Sequence, residues 1–181
     1  MIEKDFPYIK YDLPNGVTVL LTPRPDAYDP NKVSDFVWTW NPKVRFQFTD
    51  DLVKWEHDTV VVPFHWYPWM PGRRIPTELV WGAVSLIRQH ASGHGVIWMH
   101  CDSSSMRAPT FFGHFLNSKY NKDMVEMIVS QGKWTDGRHH SSPIEYAETS
   151  MKLDPGVREL ITVWKDKGEA FAHAEVMKVD K

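Results

Sequence analysis

The one cysteine of the chain, Cys101, stands where an apolar run gives way to polar residues, and Val96 to Leu116 reads VIWMHCDSSSMRAPTFFGHFL. Val96 to Met99 has the length and composition of a buried strand. Ala108-Pro109 suits the first turn of a helix, where a proline's missing N–H costs nothing. Between them lie His100, Cys101, Asp102, Ser103, Ser104, Ser105, Met106 and Arg107. A short polar loop between a strand end and a helix start turns several backbone N–H groups toward one point, and the helix N-terminus adds its own. Such a cradle binds a tetrahedral oxyanion, and the same donors favour a thiolate over a thiol. Arg107, six residues beyond the cysteine, supplies a planar fork that holds two anion oxygens at once. The three serines add hydroxyl donors and keep the loop small. Nucleophile, anion cradle and guanidinium in one loop are the parts that covalent phosphoryl transfer to sulfur requires.

The rest of the chain supplies elements to hold that loop. Tyr8 to Leu21 reads as a hairpin about Pro14-Asn15-Gly16, because Asn-Gly tolerates the positive φ of a tight turn. Asp35 to Trp40 (DFVWTW) and Val44 to Phe48 read as strands, the second alternating Val44, Phe46 and Phe48 against Arg45 and Gln47. Thr59 to Phe64 (TVVVPF) is continuously apolar, the pattern of a central strand covered on both faces and lying parallel beside Val96 to Met99. Thr77 offers an N-cap for a helix whose apolar positions Leu79, Val80, Ala83, Val84 and Ile87 recur until Ser92-Gly93 stops it. Strand, helix, strand, loop, helix outlines a right-handed βαβ unit. Helices are expected over Asp123 to Ser130, Pro143 to Met151 and Pro155 to Lys167. The expectation is one α/β domain over residues 1–181, with a central, mostly parallel sheet of four to five strands flanked by helices on both faces.

Composition narrows the classes. The chain has 181 residues, nine Trp and thirteen Pro, with Lys+Arg 21 against Asp+Glu 23 for a net charge of -2. That balance gives no general field for nucleic acid. A single cysteine rules out disulfide scaffolding and fits a reducing cytoplasm. No apolar stretch resembles a secretory signal or reaches the ~20 residues of a membrane span, so the expected protein is cytoplasmic and has no membrane partner. His57, His65, His139 and His140 lack a ligand spacing such as HExxH, so no metal is expected, and no motif asks for a cofactor. His90 and His94 straddle Ser92-Gly93 as helix-end residues. Trp66, Tyr67 and Trp69 form either a plug on the sheet end or a wall facing substrate. Nothing in the sequence sets an oligomeric state.

His100-Cys101, five residues, then Arg107 resembles the HCX5R signature of the cysteine-dependent protein tyrosine and dual-specificity phosphatases. The resemblance runs less sharply over residues 59–167, whereas residues 1–58 carry no matched motif. It implies a dual-specificity-phosphatase-like fold and a phosphomonoester hydrolase with Cys101 as nucleophile. Asp102 through Arg107 would bind phosphate, with Arg107 on substrate and transition state. His100 would orient the loop and help lower the thiol pKa. The sequence departs from the family in three places. Ser104 stands where a glycine is usual, and Ala108 where a Ser or Thr follows the arginine, which leaves Thr110 or a loop serine to stabilise the leaving thiolate. The loop expected to carry the general acid, His65-Trp66-Tyr67-Pro68-Trp69-Met70-Pro71-Gly72, holds no carboxylate. His65 and Asp102 are the local candidates for the proton donor.

The leading reading is therefore a metal-free phosphatase acting through a cysteinyl-phosphate on a phosphorylated protein (Tyr, Ser or Thr) or a small phosphomonoester. A pseudophosphatase that reads phosphate without turning it over is the first alternative, favoured by the missing Asp. A rhodanese-fold thiol enzyme is the second. Its cell-cycle phosphatases likewise place an acidic residue after the cysteine and continue Arg, small residue, Pro, as Asp102 and Arg107-Ala108-Pro109 do here.

Overall fold

The computed structural model describes residues 5–53, 62–68, 77–102 and 107–137. The hairpin forms as expected: β1 (Ile9–Asp12) pairs antiparallel with β2 (Thr18–Thr22), Ile9 opposite Leu21 and Asp12 opposite Thr18. Gly16 takes φ +91°, a conformation in which any side chain would be strained. Asn15 accepts from the Val17 N–H and donates its amide to the Ala91 carbonyl, fastening the turn to the end of a later helix.

Three more strands complete a five-stranded sheet: β3 (Val44–Gln47), β4 (Phe64–Trp66) and β5 (Val96–His100), in the order β1-β2-β5-β3-β4. All pairs except β1–β2 are parallel. β5 is central, with Leu21 and Phe46 both in register with Met99. Its apolar character follows from cover on both sides, since Ile97, Trp98, Met99 and His100 are all fully buried. The alternation in β3 holds, yet Arg45 and Gln47 on its second face are buried as well.

Two expectations are corrected. Asp35 to Trp40 is not a strand: it is the greater part of α1 (Pro30–Trp40). Its aromatic and β-branched residues look strand-like, but Val33, Phe36 and Val37 share one helical face and are buried. Asp29 caps the helix by accepting from the Asn31 N–H, Pro30 occupies its first turn, and Asn41 ends it in the left-handed conformation. The second correction concerns Thr59 to Phe64. Among the described residues of this segment, strand geometry begins at Phe64 and runs to Trp66, and β4 pairs with β3 at the end of the strand order, not with β5. The places beside β5 are taken by β2 and β3, so the βαβ crossover skips one strand. Residues 59–61 lie outside the described residues, as do the expected helices over 143–151 and 155–167.

α2 (Thr77–Ala91), α3 (Arg107–Lys119) and α4 (Lys122–Val129) follow the expected helices to within a residue or two. They cover one face of the sheet, where Val84 and Ile87 of α2 and Phe111, Phe112 and Phe115 of α3 pack with Val19, Leu21, Phe46, Phe48 and Met99. α1 covers the other face, packing Val33, Phe36 and Val37 with Phe6, Leu20, Val62 and Trp98. Three of the five strands and all of α1 thus come from residues 1–58, the part of the chain without a motif. No helix among the described residues is long and apolar enough to cross a membrane.

Phe36, 5% exposed with its ring centroid 5.3 Å from that of Trp98, carries the α1 face. Phe36→Ala should cost about 3–5 kcal/mol of unfolding free energy, and Asp29→Ala about 1 kcal/mol through the lost cap. Urea titration of both variants checks this. A Phe36→Ala loss no larger than that of the cap would show that α1 does not close the core.

Candidate active site

Charged residues gather just beyond the strands at the C-terminal edge of the sheet. Arg24 follows β2, Asp50 and Asp51 follow β3, and Cys101 and Asp102 follow β5. Two backbone hydrogen bonds carry the parallel pairing past the strands, from the Phe48 N–H to the His100 carbonyl and from the Arg24 N–H to the Asp102 carbonyl, each 2.9 Å. The edge of a parallel sheet where helices begin is the usual place for a ligand.

Cys101 is 2% exposed, and its Sγ accepts a hydrogen bond from the Ala108 N–H at 3.4 Å. Ala108 is the second residue of α3, so the sulfur faces the positive end of that helix. Arg107 is the first residue of α3, and its side chain is 3% exposed. Nη1 meets Asp50 Oδ1 at 3.1 Å and Nη2 meets Asp102 Oδ2. Arg24 gathers the other carboxylates. It grips Asp26 through Nε and Nη2 at 2.7 and 2.9 Å, and Asp51 through Nη1 and Nη2 at 3.1 and 2.7 Å, while Nη1 also reaches Asp102 at 3.0 Å. Hydrogen bonding to Arg24 holds the Asp51 carboxyl below the usual carboxylate range. Asp50, Asp51 and Asp102 bring carboxylate oxygens within 4.8 Å of one another, but each already rests on an arginine.

The loop that holds Asp50 is tied at four points. Besides the Phe48 bond, the Thr49 hydroxyl donates to the Asp51 carbonyl, the Val53 N–H donates to Gln47 Oε1, and the Trp66 indole N–H donates to the Thr49 carbonyl at 2.8 Å. Trp66 is thus a clamp on the loop after β3.

His100 lies on the opposite face of β5 from Cys101, in register with Gln47 and Thr22. It is fully buried, its ring 5.8 Å from that of Trp98. Desolvation first, and then the Arg45 charge, hold its pKa well below the usual histidine range. Arg45 itself is buried between the rings of Phe64 and Trp98, at 5.2 and 5.4 Å, and burial pulls it down to about 10. A neutral imidazole adds no cation beside the thiol.

His65 is not brought to this edge. Its ring packs on Phe46 and His90, at 5.4 and 5.9 Å, level with Phe46 and Met99 in the sheet register. Tyr67 donates its hydroxyl to the Gly82 carbonyl of α2, and burial raises it to about 12. Thr110 is buried one turn into α3. Ser103, Ser104, Ser105 and Met106 lie outside the described residues, as do Trp69, His57, His139 and His140. Arg24, Asp50 and Asp51 are absent from the sequence reading. Their one signal is position, directly beyond apolar strands that turn out to be parallel neighbours.

No family model matches the chain, and neither does any curated protein. Solved structures do match. DUSP15 superposes with a TM-score of 0.53 at 12% identity, covering 94% of this chain and 95% of that one. PTPMT1 in complex with PI(5)P gives 0.51 at 14%, covering 75% and 90%. The human tyrosine phosphatase-like serine/threonine/tyrosine-interacting protein gives 0.52 at 8%, covering 81% and 95%. The fold is that of the dual-specificity phosphatases. Within this phosphatase fold, the likeness sets aside the rhodanese-like alternative.

The buried neutral His100 has a signature in pH. An unfolded chain takes up a proton on this residue near pH 6.5, while the folded chain, whose value is lower, does not. Stability should therefore fall as pH drops below about 6.5. Urea unfolding at pH 7.5 and 5.5 should show a smaller pH loss in His100→Gln than in the unmodified protein. Equal losses would mean that His100 is protonated in the folded state.

Proposed function

We propose that the protein is a metal-independent phosphatase that hydrolyses phosphomonoesters through a cysteinyl-phosphate on Cys101. One observation carries the reading: the Cys101 sulfur sits on the N-terminal N–H of α3 while the first side chain of that helix is a buried arginine. Sulfur and arginine both stand at the start of α3, and an anion placed there would gain both the helix end and the fork. The described edge supplies this arrangement on the fold shared with DUSP15 and PTPMT1.

In the first step the thiolate attacks phosphorus. The S–P bond forms, the P–O ester bond breaks, and the departing oxygen takes a proton. Arg107 turns its two N–H groups from the carboxylates to the equatorial oxygens, whose charge spreads in the transition state. In the second step a water attacks phosphorus, the S–P bond breaks, and inorganic phosphate leaves with the thiolate restored. Residues 102–107 hold the phosphoryl group through both steps, and Thr110 serves the departing thiolate. The substrate class is a phosphorylated protein side chain (Tyr, Ser or Thr) or a small phosphomonoester. The pseudophosphatase reading draws support from the carboxylates that occupy Arg107 in the free protein.

An activated aryl phosphate should be hydrolysed. Cys101→Ser should abolish the reaction, and Arg107→Lys should slow it by about 10²-fold or more, because lysine cannot reproduce the fork. Stopped assays with a nitrophenyl phosphate check both, and undiminished turnover by Cys101→Ser refutes thiol catalysis.

A further inference from the structure

Covalent transfer to sulfur needs a proton for the departing oxygen, and the loop after β4 has no carboxylate to give one. Four aspartates nevertheless stand at the C-terminal edge of the sheet, and their partners separate them. Asp26 and Asp51 are each held by two nitrogens of Arg24. Asp102 bridges Arg24 and Arg107, so it keeps one cation if the other is taken away. Asp50 alone among the four rests on Arg107 and, among the described residues, on no other cation. An incoming phosphoryl group claims that same guanidinium.

We propose that Asp50 is the general acid, delivered by the loop after β3 and parked on Arg107 until substrate displaces it. This rests on the phosphatase reading above. When the phosphoryl dianion takes the Arg107 fork, Asp50 loses its counter-ion and faces phosphoryl oxygens. A carboxylate placed against like charge is driven to its protonated form. The proton taken from solvent then passes to the ester oxygen as the S–P bond forms and the P–O bond breaks, leaving Asp50 as a carboxylate. In the second step Asp50 receives a proton from the attacking water, and the S–P bond breaks to return the thiolate. Among the described residues, the groups facing this carboxyl are Arg107 from α3, Asp102 from the end of β5 and Asp51 beside it, and the last two are themselves held by Arg24 from the end of β2. The four ties of the loop, Trp66 on the Thr49 carbonyl among them, fix the backbone on which Asp50 swings.

The test is a leaving-group series, from dinitrophenyl through nitrophenyl to phenyl phosphate, read as kcat/KM for the unmodified protein and for Asp50→Asn, Asp50→Glu, Asp51→Asn, Asp102→Asn and His65→Ala. Asp50→Asn should lose about 10²-fold or more on phenyl phosphate but less than about tenfold on the dinitrophenyl ester, because acid help scales with charge on the departing oxygen. Asp50→Glu should recover part of the phenyl phosphate loss. Asp51→Asn should keep the slope of the unmodified protein. Tungstate should still protect Cys101 of Asp50→Asn from iodoacetate, which shows an intact cradle. A slope unchanged by Asp50→Asn, a loss equal across the series, or a steepened slope in Asp102→Asn or His65→Ala alone overturns the assignment. If the unmodified protein forms no phosphoryl-Cys101 with the dinitrophenyl ester, the phosphatase reading fails and takes this proposal with it. Turnover with an unaffected slope defeats the proposal only.

Discussion

A guanidinium that is 3% exposed has lost nearly all of its water, and the charge has to be answered from within the protein. Arg107 is in that position because α3 begins on it, directly against the end of the central strand. The helix end around it is itself positive and adds to the demand for negative charge. Among the described residues, carboxylates at strand ends meet it. Asp102 from β5 and Asp50 beyond β3 meet the need, and Arg24 beyond β2 balances the carboxylates left over. The charge lattice at the sheet edge is therefore set by where one arginine falls in one helix.

That placement in turn needs β5 in the middle of the sheet. Flanked by β2 and β3, it lets both neighbours run on in register and deliver their loops to the same edge. The two-residue period of the strand then divides labour between adjacent residues. Cys101 turns toward α2 and α3, while His100 turns toward Arg45, Gln47 and Trp98, where its neutrality avoids setting another unscreened cation beside Arg45.

Local features of this architecture are legible in the residues. Asn15-Gly16, Thr77 ahead of an apolar stripe, and Cys101 at the end of VIWMH each say what the adjacent backbone does. What is not legible is of two kinds. α1 carries a mixed message, because Phe36, Val37 and Trp38 favour extended chain while Asp29-Pro30 and Asn41 mark helix ends, and packing on Trp98 settles it. Strand order and the Arg107–Asp50 pair depend on contacts between residues far apart in the chain. No window of sequence holds both Arg24 and Asp102, 78 residues apart, so a web made of such pairs is invisible until the sheet is assembled.

The Arg107–Asp50 contact also behaves as a built-in competitor. A carboxylate tethered by a stapled loop is present at Arg107 at an effective concentration of order millimolar or above, whatever is dissolved outside. A weakly held monoanion such as chloride or acetate must beat that tethered rival, whereas a dianion brings more charge to the same fork and competes better. The same rivalry acts on any anion that does reach the fork: the returning carboxylate helps evict it, so tight retention is opposed by the loop itself.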